Sequence, residues 1–155
     1  MENELLIDFL KEAKKQTYAN ANVKKAPSSR LGSNDYHFEK DNMIYHDTYF
    51  GSTNFMGEEV VYDNNKPIWA MNYHGVTVDA TLSEDAMDQA LRPALMMVGE
   101  DDKVLPLRGP SKLENNGYTY SFSSTGTIEE FEGTEKIYKD KILIYKLTCH
   151  GGSIK

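Results

Sequence analysis

A carboxylate and an imidazole occur twice in this sequence at the same spacing, and both residue types suit metal or acid–base chemistry. Glu59 and His74 are followed 76 positions later by Glu135 and His150. In a hairpin closed by a two-residue turn at Asn64-Asn65, Glu59 faces Ala70. Glu59 and His74 then share one strand face but lie more than ~10 Å apart along the strand. We therefore predict structural roles for these four residues, for example an ion pair of Glu135 with Lys146, which faces it in the second hairpin, and no tightly bound metal.

Nucleophilic catalysis has weaker support in the sequence. Cys149 is the only cysteine and precedes His150, but neighbouring residues of a strand point to opposite faces. The chain has no G-x-S-x-G motif, and a single cysteine excludes an internal disulfide. The enzymatic alternative is a carboxylate general base, with Glu59 or Glu135 in that role.

Five residues are candidates for contacting a small ligand. Trp69 and Tyr73 combine large rings with polar groups and share one strand face, whereas Glu59 points to the other face in the same register. Arg30 and Arg108 lie in turn-rich segments. An arginine there can clamp an anionic ligand or bond the carbonyls of its own loop. We predict a pocket wall formed by Trp69 and Tyr73, with Arg108, Arg30 or Glu59 orienting the ligand.

Hydrophobic periodicity predicts two helices and several antiparallel strands. The first helix spans residues 3–16, and the second starts near Ser83, with Thr81 and Glu84 at capping-box spacing and Pro93 expected to kink or split it. Alternating patterns predict hairpins over residues 36–49, 58–73 and 134–149, a strand over 118–122, and loops over 18–33 and 99–117. The prediction is one α+β domain, residues 1–155, whose antiparallel sheet is strongly curved or barrel-like.

Two segments of the sequence are similar without a gap. Residues 55–75 and 131–151 are separated by a constant offset of 76, and seven of their 21 pairs are identical. Average composition gives about one or two identities by chance in such a stretch. Resemblance among amphipathic hairpins is the simpler alternative, but it does not explain the matched Glu and His-Gly. We predict an internal duplication with halves of about residues 1–76 and 77–155.

Charge and composition restrict the partners. A net charge of −7 repels phosphate backbones and anionic membranes, so we predict no nucleic-acid or membrane partner. No apolar run approaches the ~20 residues of a membrane span, and the acidic start Met1-Glu2-Asn3-Glu4 differs from a secretory signal. We predict a cytoplasmic location. No glycine-rich phosphate loop is present, and we predict no cofactor.

Several short motifs resemble one uncharacterised bacterial family. They are SSRLGSNDY (28–36), YFG (49–51), FxGxE (55–59), PIWAMNYHG (67–75), LRGP (107–110) and HGGSIK (150–155). That family is a domain of unknown function that occurs alone or behind an Xre-type helix-turn-helix. The N-terminal pattern of one helix followed by loop differs from a helix-turn-helix. By association alone, the resemblance implies a sensory or ligand-binding role.

Three functions therefore remain in view, and each makes a different structural prediction. The first is a small-molecule, effector-like binding domain with an aromatic pocket between sheet and helices. The second is a small enzyme, which a pocket carboxylate of raised pKa would favour. The third is a protein-interaction module, which a filled sheet with a large exposed apolar patch would favour.

Overall fold

The computed structural model describes residues 2–79 and 81–155. These residues form two helices and eight strands. In chain order the elements are α1 (Glu2–Gln16), β1 (Asn34–Lys40), β2 (Met43–Gly51), β3 (Asn54–Asp63), β4 (Lys66–Thr77), α2 (Glu84–Leu95), β5 (Lys112–Asn115), β6 (Tyr118–Thr127), β7 (Glu130–Lys139) and β8 (Ile142–Ser153).

All eight strands belong to one antiparallel sheet. Their order is β1-β2-β3-β4-β8-β7-β6-β5, so the second and fourth hairpins meet at the centre through β4 and β8. The predicted α+β class with an antiparallel sheet is confirmed. The barrel-like alternative is wrong, because β1 and β5 are edges that do not pair with each other.

The two central hairpins have tight turns. Asn64 and Asn65 have φ angles of 48° and 65°, and Asp140 and Lys141 have 49° and 65°. Two successive residues with positive φ form the turn whose twist matches a two-residue hairpin. The asparagine pair that marked the turn in the sequence therefore occupies it.

A register shift in the first central hairpin changes which residues share a face. It lies between Val61 and Tyr62, so Glu59 pairs with Met71 and not with Ala70 as predicted. The extra residue of a β-bulge moves all pairings beyond it by one position. A two-residue turn alone determined the predicted register, and the bulge was not visible in the sequence.

The consequence is that Glu59 lies on the same face as Trp69 and Tyr73, because residues directly opposite each other point to one side. The prediction that Glu59 and Trp69 point to opposite faces is wrong. The placement of Glu59 and His74 on one face is also wrong, since Glu59 is buried and His74 is exposed on the other side.

The second central hairpin has the same irregularity, between Ile137 and Tyr138. Glu135 consequently pairs with Leu147 and not with Lys146. The ion pair expected between Glu135 and Lys146 is therefore absent, and Lys146 is exposed.

Helix α2 begins where the sequence indicates but is capped differently. The Ser83 side chain accepts a hydrogen bond from the Ala86 amide at 3.1 Å, whereas the Thr81 hydroxyl donates to Asp79. The expected split at Pro93 does not occur. Pro93 lies in the last turn of α2, where the helix is about to end and few hydrogen bonds remain to be lost.

Both helices cover the same face of the sheet. Leu10 of α1 and Leu91 of α2 join inward-facing residues such as Val61, Met71 and Ile137 in one hydrophobic cluster. The opposite face carries many exposed polar side chains, such as Asn72, His74 and Lys146. No helix in the described part of the chain has the length and apolar character needed to cross a membrane.

Candidate functional site

A cavity of about 230 Å³ lies between the first half of the sheet and the two helices. Strands β2, β3 and β4 form its floor, and the end of α1, the segment after it and α2 form its roof. Six aromatic side chains line it: Tyr18, Tyr45, Tyr49, Phe55, Tyr73 and Tyr145. Five of the ten tyrosines of the sequence therefore line one cavity.

The aromatic rings support one another. Phe55 lies 6.0 Å from Tyr73 and 6.3 Å from Tyr145, measured between ring centroids, and Tyr18 lies 6.1 Å from Tyr49. Edge-to-face and offset-stacked arrangements at these distances are favourable. Tyr49 also lies 6.5 Å from Phe55, so five of the six rings form a connected aromatic surface.

Asp47 is the central polar residue of the floor. It lies between Tyr45 and Tyr49 on the inward face of β2 and is 3% exposed. The Tyr73 hydroxyl donates to its Oδ1 atom at 2.6 Å. A side chain at Gly57, opposite Tyr73 on β3, would collide with the tyrosine ring and hydroxyl. The glycine therefore leaves the space that the tyrosine needs to reach Asp47.

A second carboxylate, Glu59, is the direct cross-strand neighbour of Asp47. Burial, followed by the negative charge of Glu59, raises the pKa of Asp47 to about 7, while Tyr73, Lys14 and Arg108 act in the opposite direction. A carboxyl group with this pKa exchanges its proton near neutral pH. Such groups are common in functional sites.

Glu59 has a cation of its own. Lys14 of α1 forms an ion pair with it, and both side chains are buried. Lys14 follows Leu10 by four positions, so it lies on the apolar face of the helix. Its Nζ atom is also 5.9 Å from the centre of the Tyr45 ring.

The Glu135 carboxylate accepts four hydrogen bonds from three residues. Arg108 donates to its carboxylate from Nε at 3.0 Å and from Nη2 at 2.8 Å, and the hydroxyls of Tyr120 and Tyr145 donate at 2.5 Å and 2.9 Å. Burial alone would lower the pKa of Arg108, but Glu135 outweighs that effect and raises it. Arg108 therefore forms a bidentate ion pair with Glu135. The alternative, in which Arg108 bonds carbonyls of its own loop, is not what the structure shows.

Arg92 of α2 connects the two parts of the cavity roof, α2 and the segment after α1. Its guanidinium lies 4.4 Å from the centre of the Tyr18 ring and donates to the Tyr18 carbonyl. Its Nε atom is 3.2 Å from Asp88, which also accepts a hydrogen bond from the Tyr18 hydroxyl at 3.1 Å. These contacts hold the segment after α1 against α2.

Three of the five residues predicted to contact a ligand line the cavity: Glu59, Tyr73 and Arg108. Trp69 does not line it. The Trp69 indole is fully buried, donates to the Ile128 carbonyl at 2.9 Å and stacks on Phe131 at 5.7 Å.

Arg30, the fifth predicted residue, lies on the surface. Its guanidinium is 5.3 Å from the centre of the Phe50 ring. The Arg30 backbone bonds Ser33 of the same loop. The structure therefore brings three of the five residues together and places Trp69 and Arg30 elsewhere.

Asp47 and Lys14 are two charged residues of the site that the sequence analysis did not select. Their common signal is a charged residue at a position that periodicity assigns to the core. Asp47 alternates with Tyr45 and Tyr49, and Lys14 falls on the apolar face of α1. Charged residues are rarely fully buried unless they are paired.

The histidines and the cysteine of the repeats do not form a site with the glutamates. His74 and His150 are exposed on the face away from the helices, whereas burial raises the pKa of the Cys149 thiol to about 12. Among residues 2–79 and 81–155, no three His, Cys, Asp or Glu side chains are grouped so that they could hold a metal ion. The expectation that no metal is tightly bound stays a prediction.

A separate polar cluster anchors the loop that carries the SSRLGSNDY motif. The fully buried Asp35 accepts hydrogen bonds from Ser29 at 2.6 Å, Ser33 at 2.5 Å, Thr48 at 2.9 Å and His46 at 2.6 Å. Burial alone would raise the pKa of Asp35, but these donors together lower it. We assign this cluster a structural role.

A comparison with protein families matches residues 47–154 to the Domain of unknown function (DUF5680). The matched range begins at Asp47 and contains Glu59, Tyr73 and Arg108, whereas Lys14 lies before it. Comparisons with curated proteins and with solved structures give no match. Because the matched range covers more than two thirds of the sequence, the chain belongs to the DUF5680 family.

Proposed function

We propose that this chain is a small-molecule binding domain, similar in role to an effector-binding domain, and that the ligand occupies the cavity beneath α1 and α2. The observation that carries the proposal is a cavity of about 230 Å³ with six aromatic side chains and several buried charged groups in its wall. Apolar walls with a few fixed polar groups are typical of ligand sites. A dry apolar cavity of about 150 Å³ is enough to bind benzene.

The polar residues of the wall are already oriented. Glu59 and Arg108 are each held in a buried ion pair, and Tyr73 is held by Asp47. A ligand would therefore meet groups whose positions are fixed before it binds, which lowers the entropic cost of binding. Trp69 and Arg30 are not part of this proposal, because neither lines the cavity.

An interaction module has less support. Among the large exposed hydrophobic side chains of the described residues, Phe50 and Met56 are cross-strand neighbours on β2 and β3 and form only a small patch. Others lie on separate elements, for example Leu5 on α1, Leu31 in the following loop and Ile142 at the start of β8. Single exposed hydrophobic residues are normal on protein surfaces. An internal cavity explains the aromatic content better than a docking surface does.

A second candidate function is catalysis by a carboxylate, and the raised pKa of Asp47 favours it. Asp47 would be the acid–base group in place of the predicted Glu59 or Glu135, because each glutamate is held in an ion pair. The Tyr73 hydroxyl, which donates to the Asp47 Oδ1 atom at 2.6 Å, would share the proton of this hydrogen bond with the carboxylate. Conversion of a bound compound, followed by NMR, separates this candidate from simple binding.

The binding proposal can be tested by narrowing the cavity. Thr77 lines the cavity on the same face of β4 as Tyr73, so Thr77→Phe places a ring inside it. Its neighbour Val76 points to the other face, and Val76→Phe is the matched control. A library of compounds with fewer than about 15 non-hydrogen atoms is screened by thermal shift and ligand-observed NMR.

We expect compounds that bind the wild type and Val76→Phe but not Thr77→Phe. Circular dichroism and unfolding curves show whether both variants remain folded. A screen that yields no such compound, or only compounds that bind Thr77→Phe equally well, would contradict the proposal.

We further infer that the fold arose by internal duplication. The ranges of β3 and β4 recur in β7 and β8 after 76 residues, and so does the register shift. Phe55 packs against Gly75, as Phe131 packs against Gly151. The test is a crystal structure, in which the two hairpins should superpose through a twofold axis near the Tyr73–Cys149 pair.

On this interpretation the halves have diverged where the cavity lies. Asp47 faces Glu59 in the first half, and Phe122 faces Glu135 in the second. Tyr73 corresponds to Cys149. A cytoplasmic location and the bacterial, Xre-type context of the resemblance would suit an effector-binding role, and they stay predictions.

A further inference from the structure

We propose that the ligand is a small organic cation, a protonated amine carried on one ring or a short chain, with the Asp47 carboxylate as its counter-ion. This inference rests on the proposed function, since it names the ligand class of the same cavity. Two observations support it: the buried or half-buried cations around the cavity are paired, and the Oδ2 atom of Asp47 is not.

The first step concerns the atoms of Asp47. Oδ1 accepts the hydrogen bond from Tyr73, and Oδ2 has no hydrogen bond to the described residues. None of the buried polar side-chain atoms of those residues lacks a partner. Oδ2 therefore reaches open space, and the cavity that Asp47 lines is that space.

The second step concerns the other charges of the wall. Each of its buried or half-buried cations has a carboxylate partner. The pairs are Lys14 with Glu59, Arg92 with Asp88, and Arg108 with Glu135. Within residues 2–79 and 81–155, Asp47 forms no ion pair, because its only hydrogen bond comes from a tyrosine.

This distribution favours a cation over an anion. An anionic ligand that bound Lys14 or Arg108 would have to displace the buried Glu59 or Glu135 carboxylate and leave it uncompensated, which is strongly unfavourable. A cation meets an unpaired carboxylate in a low-dielectric site, and a charge-assisted hydrogen bond there is strong. At the rim, the exposed Lys25 is bonded to Asn34 at 2.9 Å.

The aromatic wall supports the same ligand class. The protein already places its own cations over rings of this wall: Lys14 over Tyr45 at 5.9 Å, and Arg92 over Tyr18 at 4.4 Å. Ring faces attract cations within about 6 Å. Phe55 adds a ring next to Tyr73, where an ammonium bound to Asp47 would lie, and Tyr145 stacks on Phe55.

The size of the cavity limits the ligand. The cavity has a volume of about 230 Å³, whereas a cavity of ~150 Å³ holds benzene. The difference leaves space for a short chain attached to one ring. We therefore choose phenethylammonium as the probe, with 2-phenylethanol as its neutral counterpart and 3-phenylpropanoate as an anion of similar shape.

The test measures the affinity of the full-length chain for each probe by ligand-observed NMR and calorimetry at pH 8. We expect phenethylammonium to bind at least tenfold more tightly than 2-phenylethanol, and 3-phenylpropanoate to bind more weakly than both. Asp47→Asn should reduce the affinity for phenethylammonium at least tenfold and leave that for 2-phenylethanol within a factor of three. Asp102→Asn, at an exposed loop position, is the matched control.

The outcomes distinguish this inference from the proposed function. If the alcohol or the carboxylate binds as tightly as the ammonium and Thr77→Phe abolishes that binding, the cavity binds small molecules but the cation class is wrong. If none of the three probes binds at millimolar concentration, the cation inference is wrong, and the library screen with Thr77→Phe decides the proposed function separately. The comparison of probes on the wild type decides the matter even if Asp47→Asn does not fold.

Discussion

Asp47 and Glu59 are direct neighbours on β2 and β3 beneath the helices, and Lys14 forms an ion pair with only one of them, Glu59. Two adjacent buried carboxylates with one cation are electrostatically frustrated, because at neutral pH the second charge is uncompensated. Natural proteins retain such local conflicts mainly at functional sites. The pair is therefore the place where the stability of the fold and the proposed ligand site are most directly linked.

The first prediction concerns the pH dependence of stability. The pKa of Asp47 rises from 3.8 to about 7 on folding, so between these values the native state holds a proton that the unfolded state has released. Its contribution to stability is complete below about pH 4 and is lost as pH rises to about 7. Relative to wild type, Asp47→Asn should gain about 2 kcal/mol in free energy of unfolding between pH 5 and pH 8.

Urea unfolding of both proteins at pH 5 and pH 8 provides the measurement. Asp102→Asn, at an exposed position, should show no such change. Equal differences between wild type and Asp47→Asn at the two pH values would show that the carboxylate titrates normally.

The second prediction concerns the buried pair of Arg108 and Glu135. Arg108→Leu leaves the Glu135 carboxylate with only its two tyrosine donors, so we expect a loss of about 3–5 kcal/mol in stability. Adding Glu135→Leu removes the uncompensated charge and should recover a large part of that loss. A double-mutant cycle measured by urea unfolding gives the coupling energy.

Arg30→Leu is the control for this cycle, because Arg30 is an exposed arginine. Its effect on stability should be small. If the double variant were as unstable as the sum of the two single variants, Arg108 and Glu135 would act independently and the structural interpretation would be wrong.

The periodic elements could be predicted from sequence, but the site needed tertiary information. Alternation and helical spacing located α1, the start of α2 and the central hairpins. Strand β5 was assigned to a loop, because Leu113 is the only apolar residue in Lys112–Asn115. The bulge that places Glu59 on the same face as Trp69 has no recognisable signal in the sequence. The register predicted by counting from the turn was therefore wrong by one residue.

The ion-pair partners of the buried charged residues could not be predicted from the sequence either. Glu135 was expected to pair with Lys146, one position away from its true cross-strand neighbour, whereas its cation comes from Arg108 in a distant loop. Such pairings depend on how the loop after α2 returns to the sheet. A buried charge can be suspected from periodicity, as at Asp47 and Lys14, but its partner cannot be identified in this way.

The third prediction concerns Cys149. Its side chain is 3% exposed, and burial raises the pKa of the thiol to about 12. Because the thiolate is the reactive form, native protein at pH 8 should react with a disulfide reagent at least 100-fold more slowly than protein in 6 M guanidinium chloride. Absorbance of the released thiolate follows the reaction. Similar rates in both conditions would mean that the thiol is accessible in the native state.

The last prediction concerns Asp35 and the loop it anchors. The pKa of Asp35 is lower in the folded protein than in the unfolded chain, so the stability it contributes is present above about pH 4 and is lost as the pH falls further. Asp35→Asn retains the shape of the side chain but lacks the charge and replaces one acceptor with a donor. It should lower the stability at pH 7 by about 1–3 kcal/mol, and by less at pH 3.

Limited proteolysis gives a local measurement of the same effect. Arg30 lies in the anchored loop between Ser29 and Ser33, which both donate to Asp35. Trypsin should therefore cleave after Arg30 at least tenfold faster in Asp35→Asn than in wild type. Asp63→Asn, at the half-buried end of β3, is the control and should leave this rate unchanged. Equal cleavage rates in wild type and Asp35→Asn would show that the backbone alone, and not Asp35, holds the loop.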